Sequence, residues 1–162
     1  MNAIYSQPTE PKTTFFGQQS KSDFVALNAI EIALQGTLET HAVGSLPRKL
    51  ASVRFATSSL QNCAERLFAW EERTGFMADV AEQHPHLTRK IKRLRREQLT
   101  LRQSFRRIIA QLESLAPNDA PAFDALCQKL STLIDRLDCQ MRSEEELLED
   151  AYLQDTGGEG GS

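Results

Sequence analysis

The chain has 162 residues, of which 40% are apolar and 25% are charged, a composition typical of a soluble globular protein. There is no apolar run of about 18 residues, so no membrane span is expected, and the N-terminal sequence lacks the features of a signal peptide. The three cysteines show no CxxC spacing. They are predicted to be reduced thiols, with Cys63 and Cys127 in or beside the core, in a cytoplasmic protein.

The N-terminal third of the chain is predicted to contain a flexible segment and one helix. Residues 1–21 are rich in Ser, Thr, Gln and Pro without a sustained hydrophobic period, which predicts a flexible segment. A helix is predicted from a cap at Ser22 or Asp23 to about residue 40. Its apolar side consists of Phe24, Leu27, Ile30, Leu34 and Leu38.

A second helix is predicted to begin after a cap at Ser45 and to extend to about Gln83, loosened near Gly75. The turn after it contains His84 and His86, which are interpreted with His41 as solvated turn residues. Glu71 lies four residues after Leu67, the last apolar residue of the seam, and therefore on the same face of this helix. The seam itself consists of Leu46, Leu50, Val53, Leu60, Cys63 or Ala64, and Leu67.

The third predicted helix has the most regular pattern in the chain, with seam residues at alternating steps of four and three. Gln98 is the only polar residue in this seam. A buried amide without a hydrogen-bond partner costs roughly 1–3 kcal/mol. Gln98 is therefore predicted to face other polar groups. The apolar seam positions are Leu87, Ile91, Leu94, Leu101, Phe105, Ile108, Leu112 and Leu115.

The sequence APNDAP at 116–121 predicts a break before a fourth helix, in which the adjacent seam positions Gln140 and Glu144 are polar. The glycine-rich residues 156–162 predict a flexible tail. Four amphipathic helices with short connections predict an all-α fold, an antiparallel up-down four-helix bundle over residues 22–155. The other seam positions of the fourth helix are Phe123, Leu126, Leu130, Leu133, Leu137, Leu147 and Ala151.

Four polar seam residues are predicted to meet at one level of the bundle. Counting from the turns, at about 1.5 Å per residue, places Gln98 opposite Gln140 and level with Glu71. Glu144 lies one turn from Gln140. Two interpretations are open: the four residues fix the register of the helices and satisfy one another, or they are a binding site or its remnant.

Several stretches resemble hemerythrin-like domains, which are four-helix bundles that hold a non-haem di-iron centre with histidines and carboxylates. The resemblance extends over residues 60–153. The stretches that carry it are ERLFAWEERTGFM (65–77), HPHL (84–87), RREQLTLRQSF (95–105) and SEEELLEDAY (143–152).

The resemblance implies that the carboxylates of the family's metal site are kept and that its histidines are replaced. Iron sites of this type depend on neutral imidazole ligands, so no cofactor and no bound iron are expected. For the first-helix histidine the residue nearest in character is Asn28. The family's motif positions correspond to Leu67 and Glu71 in the second helix, Glu97 and Gln98 in the third, and Gln140 and Glu144 in the fourth.

The predicted function is that of a non-enzymatic interaction or regulatory module with a protein partner. It would be a degenerate hemerythrin-like bundle whose polar layer is vestigial. One alternative is a metal-binding or ligand-sensing bundle that uses the residual carboxylates. The other is nucleic-acid binding through the nine Lys or Arg between residues 89 and 107. The latter is disfavoured because the acidic residues of 144–150 offer intramolecular partners and few aromatic residues accompany the basic ones.

Overall fold

The computed structural model describes the backbone of residues 12–39 and 45–156, and the side chains of residues 25–39, 45–151 and 153. The predicted all-α class is confirmed, since these ranges contain helices and short connections and no strand. None of the described helices is long and apolar enough to cross a membrane. The helices are α1 (Lys12–Glu39), α2 (Leu46–Thr74), α3 (Phe76–Gln83), α4 (Thr88–Ser114) and α5 (Ala120–Thr156), with a 3-10 turn at Pro85–Leu87.

The first helix begins at Lys12, so the predicted start at Ser22 or Asp23 is wrong. The segment predicted as flexible, 1–21, therefore includes helical backbone from Lys12 onward, while residues 1–11 lie outside the described residues. Once a helix is nucleated, each further residue adds one hydrogen bond, so a helix can extend past its apolar part into polar sequence. At the other end, α5 reaches Thr156, and residues 157–162 of the predicted tail lie outside the described residues.

Gly75 divides the second predicted helix into two. It has φ 62° and ψ 18°, a left-handed conformation that ends α2 and precedes α3. The turn after α3 also differs from its prediction, because His84 is only 7% exposed, while His86 is exposed. The N–H of His84 donates to Val80 O at 2.8 Å, which closes the end of α3. His41 lies outside the described residues.

Helices α2 and α4 lie side by side, with the beginning of α2 beside the end of α4. The Arg54 guanidinium donates from Nε to Leu112 O at 2.7 Å and from Nη2 to Leu115 O at 3.3 Å. These bonds satisfy carbonyls that the end of a helix leaves without an intrahelical partner. Further along the pair, Arg102 contacts Glu72. Helix α1 packs against α2 and α5, and α4 packs against α2 and α5.

The buried apolar residues form two clusters. The larger is shared by α1, α2, α4 and α5 and includes Leu34, Leu67, Leu101 and Leu137. Every predicted seam residue of α4 from Ile91 to Leu112 is buried, as are those of α5 from Phe123 to Ala151. The smaller cluster consists of Met77, Val80, Leu87, Ile91, Leu94, Leu147 and Ala151.

We expect Gly75→Ala to lower the free energy of unfolding by about 1–2 kcal/mol, because an L residue is strained at a positive φ. The added Cβ would meet no atom of the described residues within 4 Å, so the expected cost comes from backbone strain. Gly36→Ala is the matched control. Its Cβ would also meet no atom of the described residues within 4 Å, but its φ is not positive, and we expect the substitution to raise the free energy of unfolding by about 0.4–1 kcal/mol. Urea denaturation of both variants measures the difference, and equal effects would contradict it.

Candidate functional site

The structure brings the four predicted polar residues together in the interior. Glu71 is 8% exposed, Gln98 6%, and Gln140 and Glu144 3% each. We call these four residues the polar layer. Along α4 it falls between Leu94 of the smaller apolar cluster and Leu101 of the larger one. The polar layer therefore separates the two clusters of the core.

Gln98 connects the two carboxyl groups. Its Nε2 donates to Glu71 Oε2 at 2.5 Å and to Glu144 Oε1 at 2.8 Å. Gln140 Nε2 donates to the same Glu144 oxygen at 2.7 Å and to Leu94 O at 3.0 Å. No hydrogen bond joins the two amides directly within the described residues, so Gln98 and Gln140 meet through Glu144. The polar layer thus links α2, α4 and α5.

The polar layer holds a proton at neutral pH. Burial raises the pKa of Glu71 far above its usual range, and a hydrogen bond with Glu144 and the charge of that residue raise it further. Donation from Gln98 and the positive charge of Arg102 act in the opposite direction and are smaller. Glu71 is therefore a neutral acid that can donate to Glu144. An acid, a carboxylate acceptor and two amide donors pair with one another in the layer, but Glu144 Oε2 is buried and accepts no hydrogen bond from the described residues.

Three other residues considered with the site lie outside the polar layer. Glu97 faces α5 instead, where its Oε1 accepts a hydrogen bond from Arg136 Nη2 at 2.7 Å. Leu67 belongs to the larger apolar cluster and is 1% exposed. Asn28 is exposed and contributes nothing to the polar layer.

Helix α1 contributes a further buried acid, Glu31, that the hydrophobic pattern of the sequence did not predict. It is 7% exposed, and its Oε1 has no hydrogen-bond partner among the described residues. Burial, followed by the charge of Asp138, raises the pKa of Glu31 to about 7. The signal was present in the sequence, because Glu31 follows Leu27 by four residues and precedes Leu34 by three, which places it on the buried seam. Glu31 was not predicted to be buried because the adjacent Ile30 was assigned to this position of the seam.

A surface cavity of about 300 Å³ leads to the polar layer. Glu71 and Gln98 line it, together with Met77, Arg95 and Leu99. Arg102 also lines the cavity and is held at its side by acids, with Nη1 at 2.5 Å from Glu72 and Nε at 3.3 Å from Glu65. The polar layer is thus buried, but this cavity reaches two of its residues, Glu71 and Gln98, from the surface.

The basic residues of α4 form fewer ion pairs with the acidic end of α5 than the sequence led us to expect. Lys90 is the only α4 residue in a described ion pair with the acidic end of α5, at 4.0 Å from Glu146 and 3.8 Å from Asp150. Apart from Lys90 and Arg102, the basic residues of α4 are exposed and form no ion pair with the described residues. We call these seven residues the basic α4 face: Arg89, Lys92, Arg93, Arg95, Arg96, Arg106 and Arg107.

Comparison of the chain with protein-family models, with curated proteins and with solved structures found no match. Within the part of the chain that is described, no group of three or more His, Cys, Asp or Glu side chains is arranged to hold a metal ion.

Replacement of Glu71 by Gln tests the protonated state of the polar layer. Above its ordinary pKa of 4.5, Glu71 ionises in the unfolded chain but stays protonated in the folded one. The wild type therefore loses stability as the pH rises above this value. Glu71→Gln keeps a neutral donor beside Glu144 without that penalty. We expect its free energy of unfolding, relative to wild type, to increase steadily from about pH 5 to about pH 8.

The control for this experiment is Glu72→Gln, which removes a neighbouring carboxylate whose side chain is 60% exposed and paired with Arg102. Its effect on the free energy of unfolding should vary little over the same pH range. If Glu71→Gln shows no more pH dependence than Glu72→Gln in chemical denaturation, then Glu71 is ionised in the folded protein.

Proposed function

We propose that this protein is a non-enzymatic interaction or regulatory module, built on an antiparallel four-helix bundle of the hemerythrin type whose metal site has been replaced by a hydrogen-bonded polar layer. The observation that carries the proposal is the position of Gln98. Its amide nitrogen lies between Glu71 and Glu144 and donates to both. In a bundle that binds metal, a cation bridging two carboxylates would take that position.

The donor set does not fit the iron pair of the family. An amide nitrogen that donates two hydrogen bonds has no lone pair to offer a metal, and a protonated Glu71 is a poor ligand. Leu67 supplies no donor atom. These properties favour an interior that maintains the fold and a function that resides on the surface. Cys63, Cys127 and Cys139 form no disulfide among the described residues, which supports the cytoplasmic location that we propose for the protein.

Rebuilding the histidines tests the proposed origin of the polar layer. In the variant Leu67→His, Gln98→His, Gln140→His, three imidazoles would join Glu71 and Glu144. We expect this variant to bind Zn²⁺ or Co²⁺ with measurable affinity, because imidazole and carboxylate are suitable ligands and the cavity beside Glu71 gives access. The parent should bind neither tightly and should contain less than stoichiometric iron when purified without chelators.

The control for the rebuilt site adds Glu144→Gln to the three histidines. This control should lose most of the gained affinity, because it removes the carboxylate that accepts from both amides in the parent. Isothermal titration and the visible absorption of bound Co²⁺ provide independent measurements. If a folded triple variant binds no metal, or if the parent holds stoichiometric iron, then the layer is not a replaced metal site.

The basic α4 face supports a second candidate function, binding to nucleic acid. Its seven cations have no ion pair with the described residues, and they span about 27 Å at 1.5 Å per residue. Several of them, including Arg89, Lys92 and Arg96, lie on the side of α4 opposite the buried seam. Five of the seven lie within residues 89–96 and the other two at 106 and 107. Clusters of exposed cations without ion pairs can bind the phosphates of a nucleic-acid backbone.

Charge reversal on this face tests the second function. We expect the parent to bind a double-stranded DNA fragment weakly, with an affinity that falls steeply as salt increases. Arg93→Glu with Arg96→Glu should reduce the slope of log affinity against log salt by about two. Lys90→Glu is the control, because Lys90 already forms ion pairs with Glu146 and Asp150. This variant should change the slope least. Absence of binding at low salt in fluorescence anisotropy would exclude this function.

A further inference from the structure

A surface cavity of about 410 Å³ lies between α1 and α5 and is separate from the polar layer, because none of the four residues of that layer lines it. Its lining residues lie between positions 25 and 31 on α1 and between positions 138 and 145 on α5. A cavity of this volume is in the size range that holds small organic molecules in proteins. We call it the α1–α5 cavity.

One lining residue, Glu31, has a buried carboxyl group with an unpaired oxygen. The residue is 7% exposed, and its Oε1 accepts no hydrogen bond from the described residues. Most buried polar atoms in proteins are paired, so an unpaired buried oxygen calls for an explanation. A ligand that brings a hydrogen-bond donor into the α1–α5 cavity would supply the missing partner.

The charges at the α1–α5 cavity favour a cationic ligand. Among the described lining residues there are three acids, Glu31, Asp138 and Glu145, and a single base, Arg142. Arg142 pairs with Asp138 instead of Glu31, with its Nη2 at 2.6 Å from Asp138 Oδ2. A cation in the cavity would therefore be attracted to Glu31 and Glu145, whereas an anion would be repelled by them.

Apolar side chains on the cavity wall distinguish an organic cation from a metal ion. Val25, Leu27 and Met141 line the cavity, and Val25 is 70% exposed, so the cavity is open to solvent beside it. An alkyl chain placed against these side chains would be removed from water, a gain that a bare metal ion cannot make. Within the described ranges, no three acids are arranged to hold a metal ion. A buried acid beside an apolar wall therefore fits an alkylammonium ion best.

We propose that the α1–α5 cavity is a binding site for a small alkylammonium ion, whose ammonium group pairs with the Glu31 carboxylate and whose alkyl chain lies against Val25 and Met141. An ammonium group carries three N–H donors, and its hydrogen bond to a carboxylate is strengthened by both charges. The site goes beyond the function proposed above, because neither the polar layer nor the basic α4 face takes part in it.

Binding at this site should depend on pH, because only the ionised carboxylate attracts an ammonium ion. Burial, followed by the charge of Asp138, raises the pKa of Glu31 to about 7. Arg142 acts on this pKa in the opposite direction, and Asp135 adds to the rise. These three residues lie on α5, and no charged residue of α2, the other helix packed against α1, is among the described lining residues. Because an alkylammonium ion stays charged up to about pH 10, its affinity should rise about tenfold between about pH 6 and about pH 8.

Titration of the full chain with n-butylammonium chloride at constant ionic strength tests the proposal. We expect saturable changes in the amide NMR signals of residues 25–31 and 138–145. The dissociation constant should be on the order of 1–10 mM at about pH 8, because the ligand has few atoms. n-Butanol has the same chain without the charge, and it should bind at least about tenfold more weakly.

Glu31→Gln removes the carboxylate and keeps the shape of the side chain. At about pH 8 this variant should bind n-butylammonium at least about tenfold more weakly than the parent, and the dependence on pH should disappear. Glu39→Gln is the matched control, because it makes the same change at an exposed acid of α1 that does not line the cavity. Its dissociation constant should stay within about twofold of the parent.

A measurement on the unaltered chain makes the test independent of how well Glu31→Gln folds. With n-butylammonium at about ten times its dissociation constant, binding to the ionised carboxylate should lower the pKa of Glu31 from about 7 to about 6. The NMR signal of the Glu31 side-chain carboxyl carbon measures this pKa directly. The proposal would be overturned by the absence of saturable binding up to about 100 mM, by equal affinity for n-butanol, by an unchanged pKa of Glu31, or by unchanged affinity in Glu31→Gln.

Discussion

The structure depends on one amide group that donates to two buried carboxyl groups. Two ionised carboxylates at this spacing in the interior would repel each other and lose their hydration. Protonation of Glu71 removes one charge, and Gln98 and Gln140 supply donors to the other. Because these partners come from α2, α4 and α5, a shift of any one helix along its axis would leave a buried polar group without a partner. The polar layer therefore fixes the register of three helices.

This arrangement also explains why the core consists of two apolar clusters. The larger cluster contains residues of α1, whereas the smaller one is formed by α3, α4, α5 and the turn before α4. The short helix α3 can join it because Gly75 interrupts α2 just after Glu71. A continuous apolar seam through Gln98 would have been compatible with several helix registers. A polar layer whose residues bond to one another is compatible with one register, at the expense of some apolar burial and of one buried oxygen, Glu144 Oε2, without a partner among the described residues.

Periodicity in the sequence predicted the helices and the convergence of the four polar residues, because the seams of α4 and α5 are long and regular. Helix ends were predicted less well, since the beginning of α1 at Lys12 has no apolar pattern and the break at Gly75 depends on one backbone conformation. The protonation of Glu71 needs burial and a second carboxyl group, neither of which a sequence displays. Glu31 was missed because Ile30, an adjacent apolar residue, fitted the expected seam almost as well. The pairing of the basic α4 face was overestimated because proximity along two helices does not ensure contact between exposed side chains.

Gln98 and the basic α4 face belong to the same helix, α4. The hydrogen bonds that Gln98 donates to Glu71 and Glu144 hold α4 against α2 and α5. The cations of the basic α4 face form no ion pair with the described residues. Contact of this face with a phosphate backbone would therefore break no ion pair among the described residues and would require no shift of α4 against its neighbours.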